Sequence, residues 1–285
     1  MRALDELLAL LALEPLDEGL YRGQSADLGF GAVFGGQVMG QALAAAKYTL
    51  PPERQAHSFH SYFLRPGDVN KPIIYDVENI RDGKTTSTRR VKALQYGKPI
   101  FYMTASFQAP IAGFEHQAAM PEVAGPAGLV DDSEHIKALA QHLPPKVREK
   151  WLSPKPIAMR QVHYDNPMAP QEAEPLRYIW LKANGELPND PSIHKYLLAY
   201  ASDFNFLPTS LMPHGRSYWD RDLQVATIDH SMWFHQDFSF DDWILYVMES
   251  PRASGGRGLV QGRFYTRDGI LIASTMQEGI IRKRQ

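Results

Sequence analysis

HSYFL at residues 60–64 returns as HSMWF at residues 230–234, and this recurrence organises the rest of the chain. Each copy is followed by a hydroxyl residue, any residue and a glutamine, SFQ at 106–108 and TMQ at 275–277. His60 lies 48 residues before Gln108, and His230 lies 47 before Gln277. Two paired signatures at matched spacing point to a duplicated unit. Ahead of the first copy, VFGGQVMGQALAAAKYTL (33–50) reads as a helix, with Gly36, Gly40 and Ala44 forming a line of small residues that a sheet can wrap closely. Ahead of the second, a helix starts near Asp190, a good N-cap, with Pro191 in the first position, where its missing N–H costs nothing. The strands HSFHSYFLR, PIIYDVENI, TSTRRVKAL and PIFYMTASF follow in one half, and LQVATIDHSMWFH, WILYVMES, RGLVQGRFYT and ILIASTMQ in the other. A helix with about four antiparallel strands, given twice, predicts an α+β fold in which each helix lies across a curved sheet and the halves join edge to edge. The division runs 1–111, a proline-containing connector over 112–155 with a helix near 133–142, and 156–285.

The chain has 285 residues, enough for two domains or one double unit, and 44% of them are hydrophobic. A net charge of -2 gives no broad field to gather nucleic acid or an anionic membrane. The absence of cysteine excludes disulfides, thiolate metal sites and a cysteine nucleophile. Leu4, Leu7, Leu8 and Leu11 share one face of an amphipathic start, whereas Asp5 and Glu6 spoil a signal-peptide pattern. No run approaches the ~20 apolar residues of a membrane span. A cytoplasmic protein is the expectation.

Chemistry concentrates in the second half. Across a helix from about 191 to 206, Ile193, Tyr196, Leu197, Tyr200 and Phe204 define the buried face, and Asp203 falls on it. A carboxylate turned into an apolar face costs several kcal/mol unless it is paired or solvated in a pocket. The alternative is that Asp203 caps a local turn, since Asn205 and Pro208 mark the helix end. Alternation puts Thr227 on the face of Leu223 and Val225, and Gln277 on that of Leu271, Ala273 and Thr275. Three residues before each His-Ser pair stand His57 and Thr227, so the repeat makes these two counterparts, as it does Gln108 and Gln277. Residues 31–49 carry no acid, which leaves one working site per chain. Carboxylate, hydroxyl and carboxamide together suit the activation of water: the acid takes a proton while the other two fix its position.

These features also carry a family likeness. EGLYRGQS (18–25), VFGGQVMGQAL (33–43), HSFHSYFLRPGD (57–68), GKPIFYMTASFQ (97–108), YASDFNFLP (200–208), ATIDHSMWFH (226–235) and ASTMQEG (273–279) make the chain resemble the acyl-CoA thioesterase II, or TesB-type, family. The resemblance implies two fused hot-dog folds and a catalytic triad of Asp203, Thr227 and Gln277. It also implies hydrolysis of medium- to long-chain acyl-CoA, no cofactor beyond the CoA of the substrate, and a homo-oligomer such as a tetramer.

Other residues compete for attention. His57 and His60 are three apart on a strand and point to opposite faces, so they do not chelate one metal; His57 is a candidate pocket-lining residue. Gly255, Gly256 and Arg257 are candidate contacts for the CoA phosphates. No GxSxG, HExxH or Walker-type loop is present. The rival readings are a hot-dog enoyl-CoA hydratase or dehydratase, which needs Asp and His acting together, and a catalytically silent acyl-CoA-binding module.

Overall fold

A computed structural model describes residues 3–29, 31–142 and 145–284. The first half runs α1 (Ala3–Leu11), β1 (Glu14–Asp17), β2 (Leu20–Gly23), α2 (Gly35–Tyr48), β3 (Gln55–Phe63), β4 (Ile73–Asp82), β5 (Thr86–Gln95) and β6 (Lys98–Gln108). The connector holds α3 (Asp132–Leu139) and α4 (Pro145–Leu152). The second half runs β7 (Ile157–Gln161), β8 (Leu176–Ala183), α5 (Pro191–Ala201), a 3-10 segment (Leu207–His214), β9 (Leu223–Thr227), β10 (Asp229–Phe234), β11 (Ile244–Ser254), β12 (Arg257–Thr266) and β13 (Leu271–Lys283). Each half therefore contains a pair of strands, then a helix, then a further run of strands.

The strands form one antiparallel sheet in the order β1-β2-β4-β5-β6-β3-β10-β13-β12-β11-β8-β7, with β9 also paired to β13. The halves meet edge to edge through β3 and β10, where His60 registers with Ser231 and Ser61 with His230. Both His-Ser signatures therefore lie at the seam. This is the double hot-dog architecture, with α2 and α5 packed side by side within the sheet's curve.

The line of small residues on α2 serves that helix pair rather than a sheet. A Cβ on Gly36 would lie 2.2 Å from the Tyr200 carbonyl oxygen, and one on Gly40 would lie 3.1 Å from that of Tyr196. Backbone-to-backbone approach of this closeness needs glycine. The start of α5 is as expected, with Asp190 accepting from the Ser192 N–H at 2.9 Å. Its end is not: the helix stops at Ala201, and a turn follows in which Asn205 takes φ 59°. Asp203 sits in this turn, beyond the last helical residue.

LQVATIDHSMWFH is two strands, not one. Thr227 pairs with Gly279, but Ser231 pairs with Met276, so four steps on β9–β10 oppose three on β13. The extra residue is a bulge at 228–229. Its consequence is functional: residues 227 and 230 would point to opposite faces of a regular strand, and the bulge turns Thr227 and His230 to the same side as Gln277.

Candidate active site

Gln277 is the hub. It has no accessible surface, and its Nε2 donates to Thr227 Oγ1 at 2.7 Å. The same side chain lies close enough to the Asp203 carboxylate to lower its pKa. Its Oε1 faces Nδ1 of His230 at 2.8 Å. Acid, hydroxyl and amide, drawn from the turn after α5, the end of β9 and β13, therefore converge as the sequence predicts.

Asp203 Oδ2 accepts the Gly36 N–H at 3.0 Å. This partner lies on α2, 167 positions away, so the carboxylate is not capping its own turn. Gly36 is the second residue of α2, whose N-cap, Phe34, supplies no side-chain acceptor. Asp203 takes that place and meets the positive end of the helix dipole. Gly35 makes room for it, because a Cβ there would lie 2.6 Å from Oδ2. Asp203 keeps a strip of accessible surface, yet protein crowds the group closely, and burial raises its carboxyl from 3.8 to about 6 against the lowering effect of the Gly36 bond and of Gln277.

His230 was visible in the sequence only as a landmark of the repeat. In the structure it is fully enclosed, and its Nε2 lies 3.0 Å from Ser202 Oγ and 2.8 Å from Thr275 Oγ1. Burial lowers its pKa to about 4, so the ring is neutral at physiological pH. The signal that a deeper reading needed was the bulge, which no local motif announces.

The remaining candidates lie elsewhere. His57 hydrogen-bonds Ser106 at 2.8 Å, beside a bulge in β3. It stands four residues along β3 from Ser61, about 13 Å at strand rise, and makes no bond with the three clustered groups. Gly255 and Gly256 form the two-residue loop of the β11–β12 hairpin with φ 57° and 74°, the left-handed pair that a type I′ turn requires. Arg257 ion-pairs with Glu278 at 3.0 Å on the surface. Next to the Asp203 turn, a cavity of about 860 Å³ opens between α1, the connector and β7, lined in part by Leu7, Leu10, Leu28, Met159, Tyr200 and Phe204.

A helix pair cradled by a duplicated antiparallel sheet defines a double hot-dog protein. Residues 148–280 match the family model described as acyl-CoA thioesterase, and residues 24–108 match the acyl-CoA thioesterase N-terminal domain. The chain is 47% identical to acyl-CoA thioesterase 2 of Haemophilus influenzae, across 98% of both chains. It is 41% identical to human acyl-coenzyme A thioesterase 8, across 96% of this chain and 88% of that one. Its fold superposes on the acyl-CoA thioesterase II TesB2 of Mycobacterium marinum with a TM-score of 0.80 and 37% identity, covering 98% and 99% of the two chains. The chain belongs to the acyl-CoA thioesterase II (TesB) family and is an acyl-CoA thioesterase. No helix among the described residues is long and apolar enough to cross a membrane.

Proposed function

We propose that hydrolysis proceeds through a water held by Asp203, Thr227 and Gln277. The observation that carries this reading is the single amide that bonds Thr227 Oγ1 at 2.7 Å and stands beside the Asp203 carboxylate, whose proton affinity it lowers. Asp203 and Thr227 keep accessible surface and meet the water directly, while the enclosed Gln277 sets the spacing between them. The water oxygen attacks the thioester carbonyl carbon as its proton passes to Asp203. Collapse of the tetrahedral intermediate breaks the C–S bond, and the CoA thiolate leaves with the proton that Asp203 returns. General-base assistance of this kind contributes about 10²–10⁴-fold. A thioester suits it, because its carbonyl is electrophilic and a thiolate leaves readily.

The acyl chain belongs, in this reading, in the cavity beside the Asp203 turn. Its volume of about 860 Å³ fits a medium to long chain laid against Leu7, Leu10, Met159, Tyr200 and Phe204, while charged residues such as Asp132, Lys155 and Arg160 line the rest. The hydratase alternative requires a histidine that touches substrate, and among the described residues the histidine bonded to this cluster, His230, is wholly enclosed. A cytoplasmic setting and assembly into a homo-oligomer belong to the same proposal. Exposed Tyr62 and Met276 on the outer face of the seam offer apolar surface for a second copy, and sedimentation velocity measures the assembly. The test of mechanism is CoA release from a series of acyl-CoA chain lengths, followed with a thiol-reactive dye. The native chain should turn over and the Asp203→Asn chain should not; equal release from both defeats the assignment.

A further inference from the structure

His230 has no part in the mechanism above, yet it bonds Gln277, one of the three groups that carry it, and Ser202, the chain neighbour of another. Counting donors and acceptors fixes its state. Gln277 Nε2 donates to Thr227, so Oε1 faces the ring, and a carbonyl oxygen only accepts. The Nδ1 position must therefore bear the proton and donate it across 2.8 Å. Nε2 is left as an acceptor, with the hydroxyls of Ser202 at 3.0 Å and Thr275 at 2.8 Å beside it. Each of those hydroxyls also donates to a carbonyl at 2.8 Å, Ala199 and Ser231 respectively, so a bond to the ring requires one of the two to give up its carbonyl. Phe59 and Phe206 flank the imidazole at 6.2 and 5.6 Å between ring centroids.

From this arrangement we propose that His230 is a positioning residue for the thioesterase reaction: its Nδ1–H fixes which way the Gln277 amide points, and its Nε2 couples that amide to Ser202, the chain neighbour of Asp203. The consequence of losing the donor follows directly. With nothing to bind Oε1, the amide is free to flip, which would turn its carbonyl oxygen toward Thr227 and the Asp203 carboxylate and remove the N–H that Thr227 Oγ1 accepts. His230 acts through Gln277 without touching substrate. The inference rests on the roles proposed for Asp203, Thr227 and Gln277.

Two substitutions separate the halves of the ring. His230→Asn keeps an N–H donor where Nδ1 stands, and His230→Gln keeps a polar atom where Nε2 stands but loses that donor. The expected result is that His230→Gln lowers kcat about tenfold to a hundredfold, the scale of a misplaced reacting group, with KM little changed. His230→Asn should hold kcat within about threefold, as for loss of one modest hydrogen bond on the far side. Both chains lose buried contacts and should melt earlier, so a purely structural role would make kcat follow the melting midpoint in both. In a Gln277→Ala background, His230→Gln should cost nothing further. Independently of folding in any variant, the ¹⁵N spectrum of the histidine-labelled native chain should show one neutral imidazole protonated at Nδ1. If Gln277→Ala hydrolyses at the native rate, the reading of the site itself fails. If Gln277→Ala is slow, equal kcat losses in the two His230 variants, a full loss from His230→Gln in the Gln277→Ala background, or no imidazole protonated at Nδ1 overturns this inference alone.

Discussion

Replacing Asp203 with asparagine should stabilise the protein while it stops the reaction, and the two effects can be sized from the same contacts. Burial raises the carboxyl from 3.8 to about 6. A folded-state pKa above the unfolded one means that the native chain binds the proton more tightly. Stability is then greatest at low pH, falls as pH rises through the window from about 4 to 6, and levels off above it. A shift of roughly two units corresponds to about 3 kcal/mol of strain in the ionised state at pH 8. Asparagine removes that strain and keeps an oxygen for the Gly36 N–H, but it puts an NH₂ group where the acid has its second oxygen, which offsets about 1 kcal/mol. The net gain at pH 8 is about 2 kcal/mol, or a rise of roughly 3 °C in the melting midpoint. At pH 5 the native carboxyl already gains a proton in part, and the advantage of the variant shrinks to about 0.5 kcal/mol. Thermal scans of both chains at pH 5 and pH 8, alongside CoA release, test the whole argument. A difference between the two chains that does not change with pH, or an asparagine variant that turns over normally, would refute it.

The same carboxyl predicts that kcat/KM falls as pH drops through about 6, approaching tenfold per unit, because Asp203 works as the ionised base; a profile followed by thioester absorbance that stays flat down to pH 5 removes Asp203 from that role. Gly36→Ala should destabilise the fold by about 1–3 kcal/mol and reduce activity, since the new Cβ would meet the Tyr200 carbonyl oxygen at 2.2 Å and push α2 away from Asp203; denaturant titration and turnover check both. Leu28→Trp should raise KM for long acyl-CoA more than for short, as the larger side chain fills the cavity that Leu28 lines; a uniform change across chain lengths would place the acyl group elsewhere.

Much of this was legible because the residues concerned obey local rules. Asp190 and Pro191 start a helix wherever they stand together, and Leu4, Leu7 and Leu11 bury the face that their spacing dictates. Asp203 was found for a partly mistaken reason: the helical stripe ends at Ala201, and the side chain turns inward from a non-helical turn. What was missed depends on partners distant in sequence. All four residues of β1 are exposed, so alternation gives no signal there. In β8, Ile179, Trp180 and Leu181 are all buried, because the connector covers the outer face and Trp180 donates its indole N–H to the Ala124 carbonyl. The matched steps of 48 and 47 also overstate the repeat, for His230 lies beside Gln277 whereas His60 pairs with Thr104. The counterpart assigned to Thr227, His57, consequently falls outside the cluster.

The asymmetry between the halves has a compact physical origin in how the two helices begin and end. Thr49 and Ser202 occupy like positions, each hydroxyl bonding the carbonyl three residues back, at Ala46 and Ala199. The next residue is Leu50 in one half and Asp203 in the other. The helix starts differ in the complementary sense. α5 is capped by its own Asp190, which uses the Ser192 N–H, whereas α2 begins at Phe34 and two glycines with no side-chain acceptor. An uncapped start beside an acidic end gives one place where a carboxylate is drawn into the fold and held by a backbone N–H without a neutralising cation. At the opposite end of the helix pair the donor is satisfied locally and leucine stands where the acid would be. Installing the site there would therefore take at least two changes, Asp190→Gly to open α5 and Leu50→Asp to fill the gap, and either one alone should cost stability without adding turnover.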